Sequence, residues 1–256
     1  SGSMNIKTSG GSSDSGKVEI YSGHARGGSS GNLVITSGNS KQHAGNIILG
    51  AGASSHNIGG DINLRAGPAM FTGGSMLVKS GSSEFSVSGS VSMLSGQSSR
   101  QKSGQLSFVT GMAKDLSGSI ELSVGRAMSK TGDVSIKAGS AKFRGGSVSM
   151  KAGSSLYSSN GGEIMIRGGS STGQGGNVKM VSGSSTDSTG GSLSISSGSS
   201  SHGASGVLSF ESGNSQFRSG SLNLLSGVAG TGSSGEINLR TGSSRLGRSG
   251  GIVLST

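Results

Sequence analysis

Gly132-Asp133-Val134-Ser135-Ile136-Lys137-Ala138-Gly139 is followed, six residues later, by Gly146-Ser147-Val148-Ser149-Met150-Lys151-Ala152-Gly153. The two octets share one pattern, Gly-x-Φ-x-Φ-x-small-Gly, where Φ is a large apolar residue. Working outward in both directions, the pattern recurs every 14 to 16 residues from an opening glycine at Gly16 to one at Gly250, seventeen times in all. The first apolar column runs from Val18 and Leu33 to Ile237 and Ile252, and the second from Ile20 and Ile35 to Leu239 and Leu254. No polar residue interrupts either column. Apolar residues two apart, with mainly polar or small residues between them, match the period of a half-buried strand. Met4 and Ile6 extend the pattern as a ragged eighteenth repeat.

Two further columns are restricted to small side chains. The residue before the closing glycine is Ser, Ala or Thr with few exceptions, and the second residue after it is Ser or Ala in all sixteen complete repeats, from Ala25 and Ser40 to Ala229 and Ser244. Both are expected where space is scarce. Closing glycines such as Gly23, Gly38 and Gly52 are expected at tight corners, since glycine reaches positive φ without steric cost. All variation in length falls in the few residues that follow, such as Lys41-Gln42-His43, which read as loops. An insertion inside a strand would turn every later side chain to the other face.

The columns predict an all-β protein, a parallel β-solenoid of about seventeen repeats in which each coil contacts only its neighbours. Two repeats per flattened coil are preferred over one. Met at the second apolar position occurs only at Met93, Met150 and Met180, all in the same alternate series of repeats. One repeat per coil would also stack Lys137, Lys151 and Arg167 as like charges about 4.8 Å apart. Ser1-Gly2-Ser3 reads as a cloning remnant and residues 4–256 as one solenoid domain, of a kind that could be excised from a longer array, with any native signal peptide removed. The competing reading is a disordered Gly/Ser chain, which gives no reason for two uninterrupted apolar columns.

Composition narrows the function classes. The 256 residues include 52 Gly and 64 Ser, and only 29% are hydrophobic, too few for a conventional layered core. No apolar run approaches the 18 or so residues of a membrane span. The absence of cysteine excludes disulfides and thiolate metal sites. A formal charge of +10 favours polyanionic neighbours without naming one.

Recurrent chemistry is scarce. His24, His43, His56 and His202 fall in variable loops and read as exposed. Asp61, Asp133, Glu163 and Glu236 follow opening glycines, but most repeats place Ser, Asn, Gln or Lys there, against a serial calcium array. No metal, cofactor or catalytic residue is assigned, and no enzymatic activity is expected. Phe71, Phe85, Phe143, Tyr157 and Phe217 share one loop position and are expected to plug the coil's edge. The basic residues Lys114, Arg126, Lys130, Lys137, Lys142, Arg144, Lys151 and Arg167 form the candidate polyanion-binding set. Eight aromatic residues in the whole chain are too few to interleave with these charges as nucleic-acid stacking platforms.

The short period resembles that of insect antifreeze solenoids, which implies a flat ligand-binding face. The Gly/Ser-rich repeats also resemble secreted or cell-surface repeat proteins of unicellular algae, which implies an extracellular or cell-surface location. The function expected is a structural repeat protein forming a rigid rod or fibre in a wall or adhesive setting, self-associating end to end through exposed strand edges. The alternative is a surface-binding module for a periodic ligand such as ice, glycan or anionic mineral.

Overall fold

In the computed structural model, which describes residues 2–11, 14–156 and 160–255, every repeat is drawn together at one place. The chain divides into two units, Ser1–Gly132 and Asp133–Thr256. Both are built from the same three parts. An arm carries the two apolar columns, a loop follows the closing glycine, and a neck brings the loop's two ends together.

At the neck, the amide of an opening glycine donates to the carbonyl of the preceding closing glycine. In the first unit this joins Gly60 to Gly52, Gly74 to Gly67 and Gly89 to Gly81, at 2.9–3.0 Å. In the second it joins Gly146 to Gly139, Gly162 to Gly153, Gly176 to Gly169, Gly191 to Gly183 and Gly206 to Gly198, at 2.8–2.9 Å. A pair of glycines that ends on the opening glycine, as in Gly59-Gly60 or Gly145-Gly146, opens six of these eight repeats.

Sterics explain why the neck selects small residues. A Cβ added to any of the seventeen opening glycines would come within 4 Å of the preceding arm's small-column residue, which stands before a closing glycine in sixteen cases and is Thr8, before Ser9, in the first. That approach is 3.2 Å between Gly146 and the Ala138 Cβ, 3.3 Å between Gly89 and the Ser80 Cβ, and 3.7 Å between Gly118 and the Thr110 Cγ2. The same column is the most sheltered part of the chain. Thr8, Ala66, Ser80, Thr110, Ala152, Gly168 and Ser182 all belong to it, and they alone among the described residues are partly covered rather than exposed. Val124, the bulkiest occupant of the column, is the least exposed large apolar side chain, at 43%.

The second small column has a different cause from the expected lack of space. Its serine hydroxyls accept backbone amides further along the loop. Asn57 donates to the Ser54 Oγ at 3.0 Å, Ser86 to Ser83 at 3.0 Å, Ser188 to Ser185 at 3.0 Å and Gly247 to Ser244 at 2.9 Å. Ser40, Ser98, Ser171, Ser200 and Ser215 accept in the same way. Serine is favoured in such turns because its short side chain stands in for a backbone carbonyl.

These features correct the expected all-β solenoid. Among the described residues there is no helix and no strand, and none is buried. A strand needs a neighbouring chain segment to take up its amides and carbonyls. Here the eight neck bonds, between described residues, join loop ends rather than arms. With two large side chains per 14 to 16 residues, a single repeat has little apolar surface with which to offset the ordering of so much Gly and Ser. The two-residue alternation survives as graded exposure. Ile47 and Leu49 are 51% and 67% exposed while Ile48 between them is 86% exposed, and Met76, Leu77 and Val78 repeat the alternation.

The expected left-handed corners are also corrected. No described glycine has a positive φ. An added Cβ on Gly23, Gly38 or Gly52 would have nothing within 4 Å, so nothing in the structure explains why the closing position is glycine. The chain turns instead within the loops, for example at residues 55–57 and 172–174.

Candidate functional site

The candidate basic residues are distributed over both units. Lys114, Arg126 and Lys130 belong to the first, and Lys137, Lys142, Arg144, Lys151 and Arg167 to the second. All eight are exposed. Lys137, Lys151 and Arg167 follow the second apolar position of their arms, whereas Lys114, Arg126, Lys130, Lys142 and Arg144 stand in loops. The one ion pair among the described residues joins Lys17 to Glu19 at 2.9 Å, with both side chains largely in water, and includes none of the eight. The set therefore presents cations to solvent without a carboxylate partner among the described residues.

One local arrangement goes beyond exposed charge. The Lys142 ammonium stands 5.6 Å from the centre of the Phe143 ring, within reach of the ring's negative face. Lys142-Phe143-Arg144 thus puts two cations and an aromatic at one loop tip. Phe143 does not plug an edge, and neither do Phe71, Phe85 or Phe217. These four rings are 93–99% exposed, because each sits beyond a neck where no other segment covers it. Tyr157 lies outside the described residues.

The histidines stay in exposed loops, where His56 Nδ1 and the Ser55 Oγ lie 2.7 Å apart. No three His, Cys, Asp or Glu residues come together among the described residues. The Glu236 carboxylate accepts from the Asn238 side-chain Nδ2 at 3.1 Å.

Sequence reasoning missed a groove in the first unit. Leu64, Arg65 and Ala66 on one arm and Ser75, Met76, Leu77 and Val78 on the next line an opening of about 340 Å³. The Gly67–Gly74 neck creates it by holding the two arms side by side at one end. The Gly73-Gly74 pair was the available signal, since a loop closed there returns the chain beside itself.

Comparison with protein-family models, with curated proteins and with solved structures found no match. Among the described residues no helix is long and apolar enough to cross a membrane.

Proposed function

We propose that this chain is a structural repeat protein that associates with copies of itself into fibres, in an extracellular, cell-surface, wall or adhesive setting. One observation carries the reading. The same close approach of glycine to the preceding arm's small column is rebuilt at all seventeen opening glycines, while the loops between necks differ in length and in the placement of their charged residues. What is constant is the scaffold, and the charged residues of the loops follow no recurrent spacing. No enzymatic activity is proposed. Sedimentation and electron microscopy of the full chain over a concentration series test the reading. Assemblies that grow with concentration are expected, and strictly monomeric particles throughout would overturn it.

A second reading, a surface-binding module for an anionic glycan or mineral, draws on the eight exposed basic residues that lack a described carboxylate partner. Binding that persists while the chain stays monomeric would favour it over the first.

A further inference from the structure

We propose that the apolar columns of each unit are covered by the same columns of a second copy of this chain. The inference rests on the reading of the chain as a self-associating structural protein and names the surface that would join the copies.

The first column is 47–60% exposed from Val18 to Ile252, half open to water, and more sheltered than the second column in every arm except that of Leu193 and Ile195. Complete burial of one such side chain removes roughly 60–120 Å² of apolar surface from water. About half of that remains available at each position. The eight arms from Val18 to Leu122 then offer about 500–1,000 Å² in the first unit, and the nine from Val134 to Leu254 offer slightly more in the second. A standard interface takes about 800 Å² from each partner. Either unit alone reaches that size.

A second copy is the occupant that the repeat itself favours. The cover must present apolar pairs two residues apart, on arms that recur at the same spacing, and a copy of the chain meets this condition at every arm. The columns hold no charged or polar residue, so the +10 charges of two copies would meet only at loops and arm edges. The groove between Leu64, Met76 and Val78 shows how an arm is received, because two arms already turn apolar side chains into one opening. Like-charge repulsion remains and weakens with salt. Association should therefore strengthen as salt is raised, opposite to polyanion binding.

The test is sedimentation of the full chain over a concentration series at low and high salt. It compares the unaltered protein with Ile164→Asn/Ile166→Asn and Ile62→Asn/Leu64→Asn in the columns, and with Phe143→Ser/Phe217→Ser in the loops. The expected result is association promoted by salt, weakened tenfold or more by the column substitutions and unchanged by the loop ones. The chain lacks cysteine, so a polarity-sensitive dye on Met150→Cys gives a second readout. Its emission should shift to the blue over the same concentrations. Association that the column and loop variants share equally would overturn this inference and leave the structural reading standing. A chain monomeric in every condition would overturn both. A monomeric chain captured by neutral phosphatidylcholine vesicles would also overturn it, making lipid the cover.

Discussion

The amide of Gly176 donates to the carbonyl of Gly169 at 2.8 Å, the shortest of the neck bonds. Gly168, beside the acceptor, has no room for a side chain, since an added Cβ would fall on the Gly176 carbonyl. At the other necks the equivalent position holds Ala, Ser, Thr or Val. This neck is therefore closed more tightly than the rest, and it separates the two glycines' roles most clearly.

Gly176→Ala should loosen its neck, because the new Cβ would stand 3.0 Å from the Gly169 nitrogen and 3.4 Å from its oxygen. Loss of one such bond is worth about 0.5–1.5 kcal/mol net. Amide hydrogen exchange at position 176 should accelerate by up to about tenfold. Gly169→Ala should change little, since nothing lies within 4 Å of its added Cβ. Equal acceleration in both variants would remove the steric explanation.

Removing a loop hydroxyl should free one backbone amide. Ser54→Ala and Ser185→Ala leave the Asn57 and Ser188 amides without their acceptors, at a cost of about 0.5–1 kcal/mol of local order. Faster exchange confined to those amides is the expected signature, and Ser→Thr at either position should retain protection. Ala25 and Ala229 occupy the same column without a hydroxyl, and their replacement by Ser should slow exchange three residues on.

Substitution at an apolar column should be mild in the dilute chain. Ile136 is 67% exposed, so Ile136→Asp does not strand a carboxylate in a core, and its effect should match that of Ser135→Asp on the neighbouring exposed position. Circular dichroism during heating at low concentration would reveal the difference if there were one. A cooperative transition lost only in Ile136→Asp would mean that the arm buries this side chain.

Retention on heparin should depend on salt. Exposed charges are screened over about 8–10 Å at physiological ionic strength, so binding at low salt should fade as that range is reached. Replacing Lys137, Lys142, Arg144 and Lys151 by Gln should reduce retention, as should replacing Lys114, Arg126 and Lys130. Failure to bind at low salt would dismiss the basic set as a contact surface.

The repeat, the arm boundaries and the loop positions were readable from the opening octets, because apolar spacing and glycine placement record local geometry directly. The neck was half readable. The small residue before each closing glycine, as at Ala138, correctly signalled a close approach, but its partner, the opening glycine of the next repeat, is eight residues further on, beyond the octet. The serine column was misread because Ser and Ala are similar in size. Its excess of Ser, ten to six over Ala, was the trace of a hydrogen bond. The solenoid expectation failed for a reason that Ile47 and Ile48 show together. Alternating exposure needs only a chain segment with two distinguishable sides, whereas a sheet needs a second segment bonded to the first. Of the basic set, the exposure of its eight residues follows from their charge. Its division between units was not legible, because charge carries no information about where a chain parts.

The neck also uncouples a loop's length from everything outside it. Bonded glycines seven residues apart at Gly67 and Gly74, eight at Gly52 and Gly60, and nine at Gly153 and Gly162 make the same 2.9 Å bond. Loop closure grows costlier only slowly with added residues. Foreign peptides spliced in beyond Ser140 or Ser184 would thus meet a clasp that does not sense them, which makes the chain a natural display scaffold with one graft point at each of the eight bonded necks.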